Sequence, residues 1–216
     1  MIDHNISVEN KKRILFIGDS ITDAGRSRTF DGDLGDGFPF LIAAELYQRY
    51  PKADLTVLNR GIYGDNLAQL KNRWDEDCLE LNPDLVTILI GINDVWQSFE
   101  NSKVPSQEEL NIFEKNYRYL LKSLALRTDA KVILMEPFVL AYPKDRKEWR
   151  QQLDPRIQIV RHLAKEYHAT LIPLDGLLNA KGIEDDYEIY TGDDGIHPTL
   201  TGHAVIAKAW LDSVRW

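Results

Sequence analysis

A chain of 216 residues with 44% hydrophobic and 28% charged residues has the composition of a globular protein and the length to bury a substantial core in one α/β domain. A formal net charge of −8, with no basic tract rising above the acidic background, argues against nucleic acid as a partner. The single cysteine, Cys78, excludes an intramolecular disulfide framework, and no segment is apolar for long enough to cross a bilayer. Because Met1 to Arg13 is polar and lacks the apolar core of a secretory signal, the expectation is a cytoplasmic protein without membrane association.

In chain order, short apolar runs alternate with helix-length amphipathic segments. Strands are predicted near 13–18, 55–59, 85–90, 131–135 and 170–174, and helices near 38–49, 66–80, 106–127, 153–168 and 199–213. This alternation predicts a three-layer α/β/α sandwich with a flavodoxin-like, five-stranded parallel sheet. The first strand, Ile14-Leu15-Phe16-Ile17, runs directly into Gly18-Asp19-Ser20. A glycine there permits a sharp exit from the sheet and presents Ser20 at a strand's carboxyl end, where open α/β sheets carry their reactive groups. Ser20 is a candidate nucleophile, although serine is also a favoured N-cap, and Asp23 three residues on would suit a capping box.

A serine nucleophile needs a base and donors for the oxyanion. Near the other end, Asp194 and His197 are three residues apart, so one tight turn can set a carboxylate beside one imidazole nitrogen and leave the other to take a hydroxyl proton. Pro198 suits the first turn of the following helix. Gly64, in the glycine-bearing loop after the run Leu55–Leu58, can bring a backbone amide close to a developing negative oxygen. Asn93, just past the run Leu85–Ile90 and Gly91, offers a side-chain amide. Both also have credible roles in turns.

With these residues in hand, the sequence resembles the SGNH hydrolases, the GDSL-type esterases and lipases. Gly18-Asp19-Ser20-Ile21, Gly61-x-x-Gly64 with Asp65-Asn66, Gly91-Ile92-Asn93-Asp94 and Asp194-x-x-His197-Pro198 match the four motif blocks in the family's order, with isoleucine where the name-giving pattern has leucine. The resemblance implies Ser20 as nucleophile, His197 as base and Asp194 as its orienting acid. It further implies an oxyanion hole made by the backbone amides of Ser20 and Gly64 with the side chain of Asn93. Within the family the chain is most similar to carbohydrate acetylesterases of the acetylxylan esterase type, on the strings Ile14 to Asp23 and Ile90 to Trp96. Some relatives place an aromatic residue before the catalytic acid where this chain has Asp193, which leaves Asp193 as an alternative orienting group.

The expected activity is therefore hydrolysis of small acyl esters, acetyl foremost, on xylo-oligosaccharides or other carbohydrates, without cofactor or metal. A short-chain thioesterase or lysophospholipase, and a non-catalytic glycan- or lipid-binding relative, remain as alternatives. The partner expected is a small-molecule or oligosaccharide ester. The resemblance favours a homo-oligomer, with the carboxyl-terminal aromatics Trp210 and Trp216 buried either internally or across a subunit contact. Tyr63, Trp96 and Phe38 are candidates to stack on a sugar ring. Asp19 reads mainly as a structural group bonding loop amides, and is also retained with Tyr63 and Trp96 as a candidate substrate contact. Cys78 reads as a packing residue. Asp31, Asp33 and Asp36, in the loop from Arg26 to Gly37, miss the EF-hand spacing, so that loop is read as bordering the site. His162, His168 and His203 form no metal-ligand pattern.

Overall fold

A computed structural model describes residues 11–102 and 104–214. Five strands, β1 (Lys12–Gly18), β2 (Leu55–Gly61), β3 (Leu85–Leu89), β4 (Lys131–Met135) and β5 (Thr170–Ile172), form one all-parallel sheet in the order β2-β1-β3-β4-β5. This is the flavodoxin-like order, whose direction of winding reverses between β1 and β3. The register sets Gly18 level with Gly61 on one side and with Leu89 on the other, so three strands end together at one edge.

Both faces of the sheet are covered, which is why the strands read as continuous apolar runs rather than alternating ones. Ile14, Phe16, Leu89, Ile133 and Met135 face the layer of α2 (Phe38–Arg49), α7 (Leu174–Glu184) and α9 (Leu200–Ser213). Leu15, Ile17, Val86, Ile88 and Leu134 face α3 (Leu67–Asn72), α5 (Gln107–Arg127) and part of α6 (Arg150–Glu166). Trp210 is internal: it packs on Phe16 with ring centroids 5.5 Å apart and donates its indole N–H to Thr87 at 2.8 Å. Trp216 lies outside the described residues.

The predicted strands are present, as are the helices at 38–49, 106–127 and 199–213. The predicted helix 66–80 is instead α3, started by an Asn66–Gln69 capping box, followed by a π-helical turn at Asp75–Leu79. The helix predicted from 153 begins at Arg150. Four helices were not predicted: α1 (Ser20–Asp23) and α8 (Tyr187–Thr191), which are one turn or little more, α7, whose apolar residues follow no helical period, and α4 (Ile92–Asn101). Two of them, α1 and α4, position the candidate site. Among the described residues no helix is long and apolar enough to cross a membrane.

Candidate active site

The site forms where β1, β2 and β3 end. Gly18 is the last residue of β1, and a Cβ there would lie 2.0 Å from the Leu89 carbonyl oxygen, so only glycine lets β1 lie this close to β3 before the chain turns. Asp19 then caps α1, its carboxylate accepting the Ile21 N–H at 3.0 Å. Ser20 is the first residue of α1, where a backbone N–H has no partner inside the helix. The helix is a single turn, closed by Ala24 in the left-handed conformation with φ of 45°.

Ser20 Oγ lies 2.9 Å from His197 Nε2, and His197 Nδ1 lies 2.5 Å from Asp194 Oδ2. The other carboxylate oxygen, Asp194 Oδ1, accepts the backbone N–H of Ile196 and of His197, both at 2.8 Å. One carboxylate thus closes its own turn and holds the imidazole. Asp193 is exposed, and the carboxylate bonded to the ring is that of Asp194. The hydrogen bond from Asp194 raises the His197 pKa above its ordinary value, against the opposing effect of burial. Asp194 itself is held below its ordinary value: burial raises it, but the bonds from His197 and the two amides outweigh that effect. A lone hydroxyl, an imidazole free to accept on Nε2 and an orienting carboxylate are the parts needed for general-base activation of a serine.

The second loop is tied to the first by backbone and by charge. Ile62 N–H bonds the Gly18 carbonyl at 3.0 Å, and Asp65 N–H returns to the Ile62 carbonyl at 3.2 Å. Within that turn Gly64 adopts φ of +82°, a conformation side chains disfavour, and a Cβ there would meet nothing within 4 Å. Asp23 Oδ2 accepts the Tyr63 N–H at 2.9 Å and pairs with Arg28 at 2.8 Å. From the third loop, Asn93 in the first turn of α4 donates Nδ2–H to the Asp65 carbonyl at 2.9 Å. A carboxamide nitrogen carries two hydrogens, so this bond fixes the side chain without exhausting it.

Several positioning residues had no motif to announce them. Arg73 reaches the Gly18 carbonyl at 3.0 Å, the Arg60 carbonyl at 2.8 Å, Asp65 at 2.7 Å and Asp77 at 2.9 Å, joining the nucleophile loop to the Gly64 loop. Buried Asn59 donates to the carbonyls of Thr22 and Leu34 and accepts the Gly61 N–H. Arg146, in the 3₁₀ turn Lys144–Trp149, donates Nε–H to the Asp194 carbonyl at 2.9 Å while its guanidinium covers the Trp149 ring at 4.5 Å.

The aromatic candidates divide. Tyr63 is 71% exposed, and its ring lies nearly parallel to the His197 ring, 4° between planes and 6.1 Å between centroids. Trp96 is half-buried against Trp149, 5.4 Å between centroids. Phe38 is a correction: it is fully buried, edge-on to Phe16 at 5.6 Å, and has no face for a ligand. Asp19 is also buried; its carboxylate serves the α1 cap rather than a substrate surface, and burial lifts its pKa to about 7. In the Arg26–Gly37 loop, Asp33 accepts the N–H groups of Ser27 and Gly35, and Asp31 pairs with Arg60. Cys78 is buried, and burial pushes its thiol pKa up.

A flavodoxin-ordered sheet that brings a serine, a histidine and an aspartate into line at its carboxyl edge defines a class, the carboxylic ester hydrolases of the GDSL type. The chain belongs to the GDSL-like Lipase/Acylhydrolase family, whose model matches residues 16–205. It is 32% identical to an acetylxylan esterase of Geobacillus stearothermophilus over 216 aligned positions, which cover 97% of this chain and 96% of that protein. A crystal structure of that esterase superposes with a TM-score of 0.84 at 30% identity, covering 97% and 96% of the two chains. A putative GDSL-like lipase from Parabacteroides merdae superposes with a TM-score of 0.87 at 29% identity, covering 96% and 97%.

Proposed function

We propose that the protein is a serine esterase that removes small acyl groups, acetyl foremost, from carbohydrate hydroxyls. The observation that carries the reading is the continuous relay from Ser20 Oγ through the His197 ring to Asp194. His197 Nε2 takes the Ser20 proton as Oγ attacks the ester carbonyl. The oxyanion is met by the N–H groups of Ser20 and Gly64 and by the Asn93 carboxamide. Collapse expels the sugar hydroxyl, which leaves with the proton from His197, and the acyl group stays on Ser20. Water, deprotonated by His197, then attacks the acyl-enzyme; the acid departs and the proton returns to Ser20 Oγ.

Asp194 and His197 are supported in these roles by the Geobacillus acetylxylan esterase, whose catalytic mutants replace an aspartate and a histidine three residues apart. That relative is described as an acetyl-xylooligosaccharide esterase, and the exposed Tyr63 ring beside His197 suits the face of a sugar. Ser20→Ala is expected to abolish hydrolysis while leaving the fold intact, since among the described residues Oγ bonds only the imidazole. Full turnover in that variant would end the proposal. Comparing acetyl, octanoyl and acyl-thioester substrates checks the acyl group, and a preference for the long chain or the thioester would replace the acetyl reading. Labelling of Ser20 by a fluorophosphonate separates a catalyst from a binder.

A further inference from the structure

A cavity of about 220 Å³ lies among α3, α4, α5 and α6, lined by polar side chains that the reaction does not use together with the apolar Ala68, Ile112 and Phe113. It starts where the site ends. Asn93, Gln97 and Asn101 succeed one another at four-residue intervals along α4, so one face of that helix leads from the oxyanion side chain to the cavity wall. Asn66, two residues beyond Gly64, forms the near rim and bonds Gln97 at 2.8 Å. Asn116 of α5 closes the far side.

At the inner end stands Arg156, which is 2% exposed. Its two terminal nitrogens bond Gln152 and Ser98, but its buried Nε–H has no partner among the described residues. A buried donor without a partner is unfavourable, so an acceptor brought to this end of the cavity would be favoured. Asp94 and Glu109 also border the cavity. Two carboxylates against one guanidinium repel an anion, and the surrounding carboxamides supply donors and acceptors in one wall. A wall that combines such groups with the apolar carbon of Ala68, Ile112 and Phe113, without net positive charge, suits a neutral sugar ring, whose hydroxyls pair both ways and whose C–H face is apolar, better than a phosphate or a carboxylate. Several water volumes of space, at about 30 Å³ each, give such a ring room.

We propose that this cavity is a carbohydrate subsite holding a sugar unit removed from the ester, so that the enzyme reads a chain rather than a single ring. The inference rests on the carbohydrate-ester reading above. The test has two arms. Unesterified xylotriose is titrated into the Ser20→Ala protein and followed by backbone amide shifts; the signals of Gln97, Asn101 and Asn116 are expected to move, with at least tenfold weaker binding in Gln97→Ala and Asn101→Ala forms. In parallel, the ratio of kcat/KM for acetylated xylotriose to that for acetylated xylose is expected to fall at least tenfold in the same two substitutions on an intact Ser20. Turnover of acetylated xylotriose with no movement at those amides, or with an unchanged ratio, overturns the subsite alone. Hydrolysis of simple acetyl esters but of no acetylated sugar overturns the carbohydrate reading and the subsite with it.

Discussion

Replacing Asp194 by asparagine tests the relay at the point where one atom decides the outcome. The asparagine oxygen can still accept the Ile196 and His197 amides that Oδ1 accepts now at 2.8 Å, so the turn is expected to survive. Its nitrogen would occupy the place of Oδ2, 2.5 Å from His197 Nδ1, and would present a donor to a donor. Relief comes from the other tautomer, with the proton on Nε2, and that nitrogen then cannot accept from Ser20 Oγ. In serine proteases the same change costs about 10⁴ in rate, which is about 5.4 kcal/mol at 1.36 kcal/mol per decade. The expected result is a fall of that order in kcat/KM for a simple acetyl ester, with an unchanged circular dichroism spectrum. The pH profile supplies a second reading. His197 acts only when neutral, and Asp194 raises its pKa, so wild-type activity climbs with pH through a value above the ordinary 6.5. In the variant the residual activity should climb at lower pH. A variant within tenfold of wild type, with Asp193→Asn as the damaging change instead, would refute the assignment.

Asn93→Ala removes one oxyanion donor and the bond to the Asp65 carbonyl, and should lower kcat by about 10²–10³ with a smaller change in KM; an unchanged kcat would remove Asn93 from the hole. His203 is a separate, stability-linked group. It is buried beneath Phe38, its Nδ1 accepts the Phe38 N–H at 3.2 Å, and burial lowers its pKa to about 4. Because the folded value lies below the unfolded one, the unfolded chain takes up the proton first, and stability declines as pH falls from about 6.5 towards 4. Between pH 7 and pH 5 this amounts to a loss on the order of 2 kcal/mol. Urea unfolding of His203→Asn, whose side-chain oxygen can still accept from Phe38, should show a correspondingly shallower loss over that interval; an equal slope would contradict the assignment.

The sequence by itself determined the sheet and singled out the candidate site residues. Short apolar runs of strand length, rich in β-branched residues and separated by helix-length amphipathic segments, point to strands covered on both faces and joined by parallel crossovers, so the α/β sandwich was legible from pattern. Ser20, Gly64, Asn93, Asp194 and His197 were equally legible, because each stands within a few residues of a strand end or tight turn whose local chemistry marks it. The tertiary structure decided what surrounds them. Arg73 binds two carbonyls, of Gly18 and Arg60, and Arg146 binds the Asp194 carbonyl; a backbone oxygen looks the same in every residue, so no side-chain pattern records such a partner. Phe38 lay close in sequence to the site loops yet faces the core, since α2 turns that side inward against Phe16. The α4 helix does carry an apolar period, Ile92, Val95, Trp96 and Phe99, but it is only ten residues long and follows straight on from β3 and Gly91, and its packing partners, α6 and the 3₁₀ turn, lie more than forty residues away. Local chemistry marked the candidate reacting groups; only long-range packing fixed how they are held and what surrounds them.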